Sequence, residues 1–270
     1  MRIPKMKFAL NTVMFIPNIE ESLTYAKELG VPLELLPAWH EASFVQFINK
    51  NKAALGGLVS SFHEPFYLAG SYPDGLVSEH AAPRGSEDHI RTLAACRKTL
   101  EIAAELGAKE MVFHHNNHPF APNEQPTRTE YAAESLAELN NLAKTYGISI
   151  LVENAGTIGQ NNMLFDETAF IALFANIEND CILDIGHAHA NGWNVPRVMS
   201  ALGDRIKAYH IHDNDGTRDA HLRIGQGTFD WATFQQQYHA LTPNARLIFE
   251  YSPACNVNIA DIRADMASFQ

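Results

Sequence analysis

No stretch of this 270-residue chain comes near the run of about 18 apolar residues that a membrane-spanning helix needs, so no membrane span is expected. Cysteine is scarce. Cys96, Cys181 and Cys255 are odd in number and far apart, which excludes a disulfide framework and fits a reducing compartment, the cytoplasm. Positive charge is also in short supply, with 20 Lys and Arg against 31 Asp and Glu and a net charge of −11. A broad nucleic-acid surface needs clustered Lys and Arg to neutralise phosphates, so nucleic acid is not an expected partner. Low-complexity segments and Pro/Gly/Ser linkers are missing too. The N-terminal MRIPKMKFALNTVMF is basic and partly apolar but lacks a small-x-small cleavage site, and it reads as a first strand rather than a signal peptide.

What is present is an ordinary globular composition, 46% hydrophobic and 19% charged, with 13 histidines. Two periodicities alternate along it. Short apolar, β-branched runs at Phe8–Phe15, Leu33–Leu36, Gly57–Phe62, Glu110–Phe113, Ile148–Val152, Cys181–Leu183, Ile206–Ile211 and Arg246–Phe249 read as strands. Helical spacing fills the intervals. One segment from Ser86 repeats Ile90, Leu93, Leu100, Ala103 and Leu106 and stops at Gly107; another from Thr129 repeats Leu136, Leu139, Leu142 and Tyr146 and stops at Gly147. Strand then helix, repeated eight times, implies parallel strands with helical crossovers. The expected fold class is α/β: a single (β/α)8 TIM barrel over residues 1–270, with its active site at the C-terminal face, where such barrels carry their chemistry. A doubly wound open sheet is the alternative. Long segments at Pro65–Gly85, His115–Pro126 and Asn154–Phe165 leave the C-terminal ends of strands three, four and five.

Those strand ends carry an unusual load. Strand three runs into His63-Glu64, strand four into His114-His115, strand five into Glu153-Asn154 and strand six into Asp184 and His187. Strand seven carries His210, His212 and Asp213, followed by Asp219 and His221, and strand eight ends in Glu250. Closing a barrel would converge these groups, and carboxylates crowded into a low-dielectric mouth repel unless a cation is shared. Mixed His/Asp/Glu ligation without thiolate suits Zn²⁺ or Mn²⁺. His89, His118 and His239 read as surface or loop residues, while the pattern leaves His40 and His80 unassigned. His210 and His212 lie on one face of their strand, and either can be its ligand.

The stretches FHEPF, VFHH, LVENAG, LDIGHAHANG, HIHDNDG, DAHLRIGQG and FEYSP, in this order, resemble the xylose isomerase-like TIM-barrel superfamily of sugar isomerases, epimerases and family-2 apurinic endonucleases, over roughly Phe62 to Pro253. In the isomerase branch the resemblance implies one divalent metal on Glu153, Asp184, His210 and Glu250, with Glu153 and Glu250 also moving the proton through a metal-stabilised enediolate. In the endonuclease branch it implies three zinc ions and adds His63, His114, His187, Asp219 and His221 to the ligands. Departures from the nuclease pattern favour the first branch. Ala220 replaces an arginine between Asp219 and His221, His212 replaces an asparagine, and Gly225-Gln226-Gly227 lacks a carboxylate. Asn11–Asn18 and Pro37–Glu41 also carry no Arg or Lys for gripping DNA.

The function expected is a divalent-metal-dependent isomerase or epimerase of a sugar or sugar phosphate, using one Mn²⁺ or Zn²⁺. His187, His212, Trp193 and Phe66 would contact the substrate, and relatives of this kind usually form homo-oligomers. The alternative is a multinuclear-zinc phosphoester hydrolase, and a third reading is a sugar-binding protein without chemistry.

Overall fold

The computed structural model describes residues 7–65 and 78–270. Their strands are β1 (Phe8–Asn11), β2 (Leu33–Leu35), β3 (Val59–Phe62), β4 (Glu110–His114), β5 (Ser149–Glu153), β6 (Asp180–Asp184), β7 (Ile206–Ile211) and β8 (Arg246–Phe249). They follow one another in chain order around a closed barrel, with α-helices between them. The helices are α1 (Glu21–Leu29), α2 (Ala42–Leu55), α3 (Glu87–Leu106), α4 (Gln125–Tyr146), α5 (Glu167–Leu173), α6 (Ile185–Ala190), α7 (Val195–Leu202), α8 (Trp231–Leu241) and α9 (Ile259–Ser268). This is the parallel (β/α)8 barrel that the alternation implied. Phe66, expected to contact substrate, lies outside the described residues, as does much of the Pro65–Gly85 segment.

Two compact units make up the chain. One comprises Met1–Glu34 and Glu167–Gln270, and the other Leu35–Asp166. Within the first, β6, β7, β8, β1 and β2 pair in parallel, with Asp184 opposite His210 and Asn11 opposite Glu34. Its core includes Leu10, Leu33, Tyr209, Leu247, Ile248 and Phe249, and the Phe8 and Phe249 rings stack at 5.9 Å. Within the second, β3, β4 and β5 pair in parallel, and the β4–β5 register ends on His114 opposite Glu153. Parallel strands of a barrel are buried on both faces, by helices outside and by packed side chains within, and need apolar residues at nearly every position. β4, β5 and β6 show this: only the first residue of each is not buried. The ends of these strands are therefore where polar side chains can be accommodated.

Some boundaries differ from the sequence expectation. β1 stops at Asn11, whose side chain caps a 3-10 turn over Thr12–Phe15, so the strand read to Phe15 is half as long. α4 begins at Gln125 rather than Thr129, because Pro126 suits a first helical turn. Ser86 does cap α3, accepting a hydrogen bond from the His89 backbone. His89 is buried, against its reading as a surface residue. Its Nδ1 accepts from Gly85 N at 3.2 Å, and its Nε2 lies 3.5 Å from Glu138. Ile90, by contrast, is 59% exposed although the spacing put it on the apolar face of α3.

Leu139→Ala in α4, where the side chain is fully buried, is expected to cost about 2–5 kcal/mol of stability. Ile90→Ala should stay within about 0.5 kcal/mol. Urea unfolding of the two variants checks this, and equal losses would contradict the assignment of the α3 face.

Candidate metal centre

In the unit Leu35–Asp166, three strands deliver His63, His114 and Glu153 to one end, all buried. The proton on each imidazole is fixed by what lies behind the ring. His63 Nδ1 sits 3.0 Å from the backbone oxygen of Glu64, which can only accept, so that nitrogen carries the hydrogen. His114 Nδ1 donates to Asn117 Oδ1 at 2.9 Å. The orientation of that amide is set by its own NH2 group, which donates to Glu64 Oε1 at 2.8 Å and Ser78 O at 2.9 Å. Both rings therefore turn Nε2 toward the Glu153 carboxylate, at 3.9 Å from His63 and 2.9 Å from His114.

A lone pair facing a carboxylate oxygen at that distance requires a proton or a cation between them. With a proton there, burial pushes the His114 pKa down but the Glu153 charge and hydrogen bond outweigh it, and it is held up at about 9. The three ligand atoms of His63, His114 and Glu153 lie within 4.8 Å of one another, a spacing a metal ion can span. Glu64, quoted in the sequence but given no role there, is the anchor behind them. Burial pushes its carboxyl up, yet His80 and then His114 draw it down to about 2. It accepts from the His114 backbone N at 2.5 Å and from Ser78 Oγ at 2.5 Å, with His80 Nε2 at 3.3 Å.

The unit Met1–Glu34 with Glu167–Gln270 holds a larger constellation. Asp184 closes β6 and caps α6: Oδ1 accepts from His187 N at 2.6 Å, and Oδ2 from His212 Nε2 at 2.9 Å. His210 on β7 bonds Glu34 through Nε2 at 2.7 Å, and its Nδ1 faces Glu250 Oε2 at 3.4 Å and Asp184 Oδ2 at 3.7 Å. His212 follows β7 and stacks on His221, centroids 3.8 Å apart. His221 Nδ1 donates to Glu250 O at 2.8 Å, which turns its Nε2 to Asp219 Oδ2 at 3.0 Å, while His187 Nε2 reaches the same oxygen at 3.3 Å. Burial raises the Asp219 carboxyl, but His221 and His187 hold it well below the usual range. Burial likewise lowers His221, and Asp219 lifts it to about 10.

Nδ1 of His212 and Oδ1 of Asp219 are buried, have no hydrogen-bond partner among the described residues and lie 3.8 Å apart. Ligand atoms of His212, His221 and Glu250 also fall within 4.8 Å of one another. Buried acceptors without donors are costly, and a cation between them would remove that cost. The donor set here, imidazole nitrogens and carboxylate oxygens, fits Zn²⁺ or Mn²⁺.

Backbone geometry makes this crowding fit. A Cβ on Gly186 would lie 1.9 Å from His212 Cε1, so any side chain there would evict the imidazole. A Cβ on Gly227 would meet Asn214 O at 2.1 Å and Asp213 Oδ1 at 2.3 Å. Asp213, fully buried, accepts from the backbone N of Asn214 and Gly225 and from Trp231 Nε1, each at 2.9 Å, and so ties down the loop that bears Asp219 and His221. His221 itself has φ +47°, a conformation that costs a non-glycine residue about 1–3 kcal/mol and is held by its neighbours. Ser252 N donates to His221 O at 2.7 Å. Trp193, expected near substrate, is half-buried after α6 with its ring 5.5 Å from Phe170.

Sequence reasoning missed Asn11, Glu34, Glu64 and His80 as parts of the centre. The available signal for Glu34 was a carboxylate inside the apolar VPLELLP.

The sequence pattern of the xylose isomerase-like TIM barrel matches residues 23–269. The chain is 27% identical over 157 residues to an inosose isomerase of Bacillus subtilis (strain 168), covering 54% of this chain and 55% of that protein. It is 30% identical over 141 residues to an uncharacterized protein of Methanocaldococcus jannaschii, covering 52% of this chain and 54% of that one. It thus spans about half the length of these curated relatives. Among solved structures, a D-tagatose 3-epimerase-like protein superposes with TM-score 0.75 at 20% identity, over 98% of this chain and 97% of that one. The IOLI protein with a binding zinc atom gives TM-score 0.77 at 17% identity, over 98% of each chain. At these identities the structural likeness is one of fold.

Chelator-treated protein is expected to gain about 5–10 °C in Tm when Zn²⁺ or Mn²⁺ is added at about a hundred times its Kd, since only the folded chain assembles the ligands. A Tm that no divalent cation moves would contradict a metal centre.

Proposed function

The chain belongs to the xylose isomerase-like TIM-barrel family, and from that premise we propose that it is a divalent-metal-dependent isomerase or epimerase of a sugar-like hydroxy-ketone. One observation carries the reading: His210 turns Nδ1 toward the Asp184 and Glu250 carboxylates while its other nitrogen is committed to Glu34. The relatives named for inosose isomerisation and tagatose epimerisation support the substrate class. The family match over residues 23–269 supports reading residues 1–270 as one barrel domain.

In this proposal Asp184, His210, Glu250 and Glu153 hold a single Mn²⁺ or Zn²⁺. Such a cation supplies electrostatic stabilisation where negative charge develops on the substrate's oxygens. The chain's own groups do the rest. One of Glu153 and Glu250, as the carboxylate, takes the proton α to the carbonyl; the C–H electron pair forms a carbon–carbon double bond and the carbonyl π pair moves onto its oxygen. The other, as the carboxylic acid, gives its proton to the opposite face of the same carbon in an epimerase as the carbonyl re-forms, or to the former carbonyl carbon in an isomerase, where the hydroxyl proton of the adjacent carbon passes to the first oxygen as the new carbonyl forms. Glu250 is prepared for this because Asn11 Nδ2 holds its Oε1 at 2.9 Å, which leaves Oε2 as the oxygen directed at the centre. His187, half-buried, and His212 orient substrate hydroxyls, and Trp193 walls the sugar. The proposed setting is the cytoplasm, supported by three cysteines that stand as thiols, and the proposed assembly is a homo-oligomer.

A second reading, a multinuclear-zinc phosphoester hydrolase, is favoured by a separate observation. The His63, His114 and Glu153 cluster and the His187, Asp219 and His221 cluster each set two imidazoles against a carboxylate, and a one-metal isomerase does not require them. Metal content separates the two. Protein purified without chelator is expected to carry about one transition-metal ion per chain by plasma mass spectrometry, and three tightly held zinc ions would transfer the assignment to the hydrolase.

The direct assay follows exchange of the α-proton with solvent in a panel of ketoses, ketose phosphates and inososes supplied with Mn²⁺. Glu153→Gln and Glu250→Gln are each expected to slow exchange about 10²–10⁴-fold. Exchange at the wild-type rate in both would contradict the proton-transfer roles.

A further inference from the structure

Glu34 has no role in the reaction just described, yet it is a fully buried carboxylate in a three-residue strand between Leu33 and Leu35. An ionised carboxyl is kept in such a place only if donors satisfy it. Asn11 and His210 are among those donors. Asn11 Nδ2 donates to Oε1 at 3.0 Å, and His210 Nε2 donates to it at 2.7 Å. Asn11 and Glu34 are register partners on the paired strands β1 and β2, so their side chains leave the sheet on one face.

The identity of each donor follows from the chain itself. Asn11 Oδ1 accepts from Val13 N at 2.8 Å as the cap of the 3-10 turn, which forces its NH2 group toward the carboxylates. There it bridges Glu34 Oε1 at 3.0 Å and Glu250 Oε1 at 2.9 Å. With Glu34 accepting, His210 must carry its hydrogen on Nε2. The Nδ1 lone pair is then the one presented to Asp184 Oδ2, at 3.7 Å, and Glu250 Oε2, at 3.4 Å. Glu34 stands behind the imidazole, on the far side of the ring from those two carboxylates, so it acts through His210.

We propose that Glu34 and Asn11 form a positioning pair that presets the centre before any cation arrives. Glu34 fixes His210 as the Nε2–H tautomer, with Nδ1 as the ligand atom. Asn11 restrains Glu34 and Glu250 together by holding Oε1 of each, with Oε2 of Glu250 on the side of His210 Nδ1. A charge-assisted bond from a carboxylate also makes the opposite nitrogen a better donor to a metal, and loss of such a partner typically weakens metal affinity 10–100-fold. The consequence for catalysis rests on the metal-dependent reading above, but the tautomer does not.

The test uses the full chain labelled with ¹⁵N-histidine, first without metal and then titrated with Co²⁺. Long-range ¹H–¹⁵N correlations are expected to show His210 protonated on Nε2 in the wild-type protein. Glu34→Ala should lose that single tautomer and bind Co²⁺ about 100-fold more weakly. Glu34→Gln keeps an acceptor oxygen but not the charge; it should retain the tautomer and lose about 10-fold in affinity. Circular dichroism identifies any variant that fails to fold, and the glutamine variant, which changes no volume, then decides alone. A wild-type His210 protonated on Nδ1, or Co²⁺ binding within twofold of wild type in the folded variants, would overturn the proposal. A wild-type protein that shows the Nε2–H tautomer and the graded loss of Co²⁺ affinity, yet exchanges no α-proton in any sugar, would uphold the positioning pair and remove only the isomerase reading.

Discussion

Buried carboxylates here are faced by imidazole nitrogens whose partner nitrogens are already spoken for, and the rest of the site depends on that arrangement. His63 and His221 spend their Nδ1 hydrogens on backbone oxygens and His114 spends its own on an amide held in place from behind, whereas His210 spends its Nε2 hydrogen on Glu34. The nitrogens that remain converge on Glu153 in one unit and on Asp219, Asp184 and Glu250 in the other. Lone pairs and negative oxygens at such distances repel unless a positive charge sits between them. Protons can fill that role, which is why His114 and His221 are held in their charged forms well above the usual histidine range. A divalent cation fills it better, because one ion satisfies several ligands at once.

Holding that many polar groups in register is the work of the loops beyond the strands. Asp213 gathers the 225–231 segment through backbone and indole donors, Gly227 lets the chain pass close enough to be gathered, and Gly186 leaves room for the His212 ring. His221 is kept in an unfavourable backbone conformation by the same packing. Strain of this kind persists where surrounding structure over-determines it, and such positions cluster at functional sites. The barrel strands supply the platform; the loop after β7 supplies the precision.

Much of this was legible in the sequence because the strands are short and nearly all apolar. Glu153, Asp184 and Glu250 each close such a run, so a carboxylate at that point stands out against its neighbours. The residues that escaped notice break no pattern visibly. Glu34 lies inside LEL, where a single polar residue between leucines reads as an outward-facing strand position. Only the register with Asn11, a non-local property, reveals that it points at His210. Asn11 was absorbed into a strand read to Phe15, because NTVMF has β-branched and apolar residues and gives no sign that the asparagine caps a 3-10 turn. His89 and Ile90 exchange the burial expected of them, since the spacing of α3 fixed the period of its apolar face but not its phase. The fold was carried by local periodicity, whereas the supporting residues of the site depend on which strands are neighbours.

The most direct measurement is an anomalous-difference map from a crystal of the protein grown with Mn²⁺. The expected result is a peak within about 2.0–2.3 Å of His210 Nδ1 and of the Asp184 and Glu250 oxygens, with Nε2 of that ring still on Glu34. A crystal saturated with Mn²⁺ that shows no peak beside His210, or one bound to its Nε2 with Glu34 displaced, would contradict the claim that these side chains are oriented in advance for a cation.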